Sequence, residues 1–111
     1  MAQPESPGAP VVTVFRSRLR PDGIGEYEAR APEIEALARA APGFIDFKTF
    51  TADDGERLSL VVFADPEVHR AWRDDARHLE AQAAGRDRYY ASYEILVCEL
   101  VATRRFALGA P

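Results

Sequence analysis

The 111-residue chain has a single cysteine, Cys98, so no disulfide can form within it, and a reducing cytoplasm is the expected setting. No apolar run approaches the ~18 residues a membrane-spanning helix needs. The N-terminus lacks the charged-then-apolar pattern of a secretory signal. Long basic stretches are also missing: 14 Lys and Arg stand against 18 Asp and Glu, for a formal net charge of -4. Arg16, Arg18 and Arg20 share one face of an expected strand, but acids surround them in sequence, which argues against nucleic acid as a partner. There is no glycine-rich phosphate loop, no Ser-His-Asp order and no internal repeat. The two histidines, His69 and His78, have no Cys or His cluster beside them, so no metal site is expected.

What is present reads as one domain. Residues 1–10 hold Pro4, Pro7 and Pro10 with little apolar content and read as a disordered lead-in, and residues 107–111 read as a tail. Between them, residues 11–106 alternate strand and helix signals. Val11 to Ser17 is β-branched and aromatic, as a strand should be. Pro21-Asp22-Gly23 breaks it. Ile24, Tyr27, Ala31, Ile34 and Ala38 then recur at steps of three and four, which predicts an amphipathic helix that Pro32 should kink or divide. Ala41-Pro42-Gly43 stops the helix. Phe44 to Phe50 and Leu58 to Phe63 read as a hairpin turned by Asp53-Asp54-Gly55. Asp65-Pro66-Glu67 is a helix start, and a second helical region follows to about Tyr90. There Val68, Trp72, Ala76, Leu79 and Ala83 would share one face of a continuous helix. Alternatively Asp74-Asp75 restarts it, with a further break at Gly85. Tyr93 to Val101 is the last strand. The order β-α-β-β-α-β predicts an α+β, ferredoxin-like fold with a four-stranded antiparallel sheet.

Strand alternation also predicts a partner. Leu58, Leu60 and Val62 oppose Val61 and Phe63, and Leu96, Cys98 and Leu100 oppose Tyr93, Ile95 and Val97, so both sheet faces want burial. Two helical regions cover one face, and a second copy packed sheet to sheet would cover the other, giving a barrel-like homodimer. Cys98, between Leu96 and Leu100, reads as a small buried hydrophobe.

The candidate site residues are aromatic or titratable. Trp72 is either a wall of an aromatic-substrate pocket or a core residue. His78 is the best proton-handling group, because an imidazole titrates near neutrality; its alternative is a solvated helix residue. His69 reads first as a surface helix residue, with a binding role beside Trp72 as the alternative. Arg86 could hold a phenolate or carboxylate, and Tyr90 could donate to a developing oxyanion. Tyr89, Phe15 and Tyr27 are pocket candidates with equal claim to be core.

Several motifs in order resemble the antibiotic biosynthesis monooxygenase domain family: Pro42-Gly43-Phe44, Asp54-Gly55-Glu56-Arg57, Trp72, His78-Leu79-x-Ala81-Gln82, Gly85-Arg86-x-x-Tyr89-Tyr90-x-x-Tyr93 and Ile95-x-Val97-Cys98. The resemblance covers nearly all of the expected domain. It implies a dimeric α+β barrel with one pocket per subunit, between sheet and helices. Members of that family oxidise anthrones with O₂ and no cofactor, act on quinols, or bind and degrade haem. Haem degraders carry a histidine ten residues after the tryptophan and an asparagine on the first strand; here Gln82 stands at the first place and the strand has no asparagine. Anthrone oxidisers carry a tyrosine six residues after the tryptophan, where this chain has His78. The resulting expectation is a cofactor-independent monooxygenase taking a small electron-rich aromatic and O₂. The alternative is a non-catalytic dimeric accessory protein that binds a small molecule or haem.

Overall fold

A computed structural model describes residues 8–109. Most of the expected lead-in and the end of the expected tail lie outside the described residues. The elements run β1 (Val11–Leu19), a 3₁₀ turn (Pro21–Gly23), α1 (Ile24–Ala40), β2 (Phe44–Thr51), β3 (Arg57–Phe63), α2 (Pro66–Arg73), α3 (Ala76–Ala84), one turn of π-helix (Gly85–Tyr89) and β4 (Tyr90–Glu99). The four strands form one antiparallel sheet in the order β2-β3-β1-β4. This is the expected ferredoxin-like fold, with the second helical region divided in two.

Local chemistry explains the divisions. Asp65 caps α2 by accepting hydrogen bonds from the amides of Glu67 and Val68 at 2.9 and 3.0 Å, with Pro66 in the first turn. Asp75 starts α3 in the same way, accepting from Arg77 N at 2.8 Å. The restart reorients α3, so Leu79 is half exposed while Ala81 and Ala84 are buried; the single continuous face through Leu79 does not form. Pro32 lies inside α1 without dividing it. β4 begins three residues earlier than expected and ends at Glu99, leaving Leu100 and Val101 beyond the strand.

The register sets the site. Thr13, Phe15 and Ser17 lie opposite Val61, Ser59 and Arg57 of β3 and opposite Val97, Ile95 and Tyr93 of β4, so these residues share the helix-facing side. A bulge at Ile45 shifts β2 so that both Phe44 and Phe47 oppose helix-facing partners, although three residues apart they would otherwise face opposite sides. Fully buried Phe63 anchors the core, its ring 4.9 Å from Trp72 and 6.0 Å from Phe44.

The other face carries Val12, Val14, Leu58, Leu60, Val62, Leu96 and Cys98, and no helix or strand among the described residues covers it. Cys98 is therefore exposed in the single chain and not buried as expected. At one end of this face the arginines of β1 find acids on the hairpin. Arg16 donates to both carboxylate oxygens of Glu56 at 2.9 and 3.0 Å, and Arg18 donates to Asp54 at 2.7 Å. No helix among the described residues is long and apolar enough to cross a membrane.

Candidate active site

A cavity of about 330 Å³ lies between the helix-facing side of the sheet and the helices. Phe15, Tyr27, His69, Trp72, His78 and Tyr90 all line it, so six of the eight expected site residues converge. Arg86 and Tyr89 do not line it. The Arg86 side chain is exposed on the π-helical turn and hydrogen-bonds the Tyr93 hydroxyl, which raises its pKa. Tyr89 is 1% exposed beneath the cavity wall, its ring 6.1 Å from Tyr27 and its hydroxyl without a hydrogen-bond partner among the described residues.

Trp72 organises one end. Its ring centroid is 4.3 Å from that of His78 and 5.9 Å from that of His69. The break at Asp74–Asp75 brings His78 back onto the tryptophan. His78 Nδ1 lies 3.2 Å from the Arg73 carbonyl oxygen. A carbonyl only accepts, so Nδ1 carries the proton of the neutral ring, and Nε2 is left as the acceptor. Burial lowers the His78 pKa, against smaller raising effects of the Arg73 carbonyl and Asp75. The imidazole is thus neutral at pH 7, the form a general base requires.

His69 is 4% exposed, and its reading as a surface residue is corrected. Its Nε2 lies 3.1 Å from Thr13 Oγ1 on β1, and its ring packs 6.3 Å from that of Phe63. Its pKa is lowered by burial first, then by Arg73, His78 and Arg70. Both histidines therefore bind protons less readily in the folded chain than in the unfolded one. Between the lowered native values and the ordinary ~6.5, the unfolded state holds more protons and stability rises with pH. The melting temperature is expected to be flat above pH 7 and to fall as pH drops below about 6.5. The slope should approach at most about 1.4 kcal/mol per pH unit for each histidine. His69→Gln should flatten that slope in a calorimetric series; an unchanged slope would show that His69 does not drive it.

The other end is aromatic and cationic. Tyr90 opens β4 with its ring 5.3 Å from Phe15 and 6.0 Å from Tyr27. Gly85 makes room for it, since a Cβ there would lie 2.6 Å from Tyr90 Cε2. Burial, with a smaller effect of Tyr27, pushes the Tyr90 phenol far above its ordinary value, so it stays protonated and can donate. Among the wall residues that sequence reasoning did not select are Thr13, the partner of His69, and Arg57, whose guanidinium lies 5.1 Å over the Tyr27 ring. Strand alternation carried the signal for Thr13, which shares its strand face with Phe15, whereas Arg57 is brought to the wall by the pairing of β3 with β1. Among the described residues, no three His, Cys, Asp or Glu side chains converge as a metal site would need.

The chain matches the antibiotic biosynthesis monooxygenase family over residues 10–84, and it belongs to that family. It is similar to YqjZ, an uncharacterised protein of Bacillus subtilis, at 24% identity over 102 residues, spanning 92% of this chain and 90% of that one. The fold is shared with Rv0793 from Mycobacterium tuberculosis at a TM-score of 0.77 and 17% identity, covering 87% of this chain and 100% of that one. It is also shared with SnoaB, a cofactor-independent oxygenase from Streptomyces nogalater, at a TM-score of 0.69 and 19% identity, covering 93% of this chain and 100% of that one.

Proposed function

We propose that this chain is a cofactor-independent monooxygenase that oxidises an electron-rich aromatic of anthrone or quinol type with O₂. The observation that carries this reading is the neutral imidazole of His78. Its Nδ1 proton is committed to the Arg73 carbonyl and its ring stacks near Trp72 on the cavity. An anthrone held against Trp72 loses a methylene proton to His78 Nε2. The charge moves to the carbonyl oxygen across the ring, where the protonated Tyr90 can donate to it. The anion gives one electron to O₂, the two radicals join as a peroxide anion that takes the proton back from His78 to become a hydroperoxide, and loss of water leaves the quinone. The balance is one anthrone and one O₂ to one quinone and one water, so the substrate itself supplies the electrons. Membership of the family and the likeness in fold to SnoaB support the reaction class.

The test is oxygen consumption with an anthrone or a reduced quinol, with and without the protein, and quinone formation measured alongside. Uptake no faster than the background would sink this reading. Saturable ligand binding without uptake would instead favour a non-catalytic binding module.

The working unit is proposed to be a homodimer. The open sheet face is apolar, and Val101, Phe106 and Leu108 in the segment after β4 are almost fully exposed, which a second copy could cover. Sedimentation at micromolar concentration should report twice the chain mass, and Leu60→Glu should shift it to the monomer. A wild-type monomer at that concentration would overturn the dimer. The lone Cys98 fits a cytoplasmic setting.

A further inference from the structure

Three charged residues besides the histidines line the cavity: Glu35, Arg57 and Arg73. Two have partners. Glu35 pairs with Arg39 at 2.7 Å, and Arg73 pairs with Asp74 at 3.3 Å. The Arg57 side chain has no carboxylate in salt-bridge range and no hydrogen bond among the described residues, and its Nε is buried without a partner. Its guanidinium lies over the face of Tyr27 and acts electrostatically on the Tyr90 phenol, opposing the rise in its pKa. A guanidinium taken partly out of water with its Nε donor unmet is costly, and it is relieved by an acceptor that enters with a ligand.

Position narrows the ligand group. Arg57 stands four residues before Val61 on β3, and Val61 lies opposite Thr13, the hydrogen-bond partner of His69. The strand rise places the backbone of Arg57 about 13 Å from the imidazole end. Ser59 and Thr49, bonded to each other at 2.8 Å, lie between the two ends on the same wall. The cavity therefore has a proton-accepting end and a cationic end, joined by an aromatic and hydroxyl-lined middle. Glu35 would oppose an anion, but Arg39 engages its charge.

We infer that Arg57 takes an anionic oxygen, a carboxylate or a phenolate, at the end of the aromatic ligand remote from the histidines. This rests on the aromatic-binding reading of the cavity and adds that the ligand is bound as an anion. The guanidinium fork suits a carboxylate through two parallel hydrogen bonds and a phenolate through one.

Equilibrium binding tests it without turnover. Trp72 is the only tryptophan of the chain and lines the cavity, so quenching of its emission reports occupancy. At pH 8 both imidazoles are neutral and cannot supply the positive charge. In one arm, anthraquinone-2-carboxylate is compared with anthraquinone-2-carboxamide. In the other, 2-hydroxyanthraquinone is titrated with pH and its bound ionisation is read from visible absorbance. At least a ten-fold preference for the carboxylate, or a drop of about one pH unit in the bound phenol's midpoint, is expected in the wild type. Arg57→Gln should abolish it, Arg57→Lys should keep part of it, and Arg73→Gln should leave it intact. The arm that responds identifies the anion.

Equal binding of the matched pair together with an unmoved phenol midpoint overturns the inference. So does a preference that survives Arg57→Gln in a variant with a wild-type melting profile. If Arg57→Gln does not fold, Arg57→Lys decides, because an anion preference unchanged by loss of the fork also overturns it. Absence of any quenching defeats the inference together with the aromatic reading on which it rests. An Arg57-dependent preference without oxygen uptake would instead leave the inference standing and remove the oxygenase.

Discussion

Replacing His78 with alanine is expected to lower quinone formation about a hundred-fold or more while leaving ligand binding within a few-fold of wild type. In the proposed reaction the need at neutral pH is to create the substrate anion, and positioned general bases typically contribute about 10²–10⁴-fold. The Arg73 carbonyl holds the Nδ1 proton, so Nε2 is the nitrogen that can accept, and burial keeps the ring neutral. Protonation removes the lone pair. Activity should therefore fall as pH drops, and because burial lowers the pKa, the acid limb should lie below the ordinary ~6.5. His78→Gln retains a donor for the Arg73 carbonyl but is no base, so it should lose as much turnover as alanine. Added imidazole should restore part of the alanine variant's rate and none of the glutamine variant's if the freed space is what admits it. Trp72→Ala separates packing from chemistry: its ring stacks on Phe63 at 4.9 Å, so its loss should cost about 3 kcal/mol of stability and weaken ligand binding. Full activity of His78→Ala with an unchanged pH profile would move the base elsewhere. His69, 5.9 Å from Trp72, would be next, since the Tyr90 phenol is held protonated.

Particular residues show what could be read from the sequence. Asp65-Pro66 and Pro42-Gly43 are local signals whose meaning does not depend on the rest of the fold, and the elements they bound formed where expected. The bulge at Ile45 and the π-helical turn at Gly85–Tyr89 have no comparable signature, because each is a compromise between strands and helices distant in sequence. That turn is also why Arg86 misses the cavity, while Tyr90, one turn later, enters it. Helical spacing put His69 near Trp72, but His78 reaches the tryptophan through the break at Asp74–Asp75, and burial of His69 depends on β1 offering the Thr13 hydroxyl. Arg57 was read only as the end of a hairpin motif. The pairing of Arg57 with Ser17, known once the register is fixed, is what turns its side chain to the helix side. The site was legible where chemistry followed residue type, and obscure where it followed register.

Gly43→Val is expected to destabilise the protein by about 3 kcal/mol or more, a fall in melting temperature of roughly 10–20 °C for a domain this size. Two causes add. Gly43 has φ +79°, a left-handed conformation that costs an L-residue about 1–2 kcal/mol and a β-branched one more. A Cβ on Gly43 would also lie 2.5 Å from Val68 Cγ2 and 2.8 Å from Val68 Cβ, on the first turn of α2. Overpacking of this kind typically costs another 1–3 kcal/mol. The backbone cannot swing away freely, because the Gly43 carbonyl accepts from Ala64 N at 2.8 Å and ties the start of β2 to the end of β3. The two causes can be separated. Val68→Ala removes the obstructing methyls, so Gly43→Ala should be less harmful in the Val68→Ala background than in the wild type, and the difference measures the clash. The cost that remains is the backbone's together with that of the retained Cβ at position 68, 2.8 Å away. Displacing α2 at Val68 would also move the adjacent His69 off Thr13, so ligand binding should fall along with stability. An unchanged melting temperature for Gly43→Val would show that this junction relaxes without strain and that α2 is not held against it.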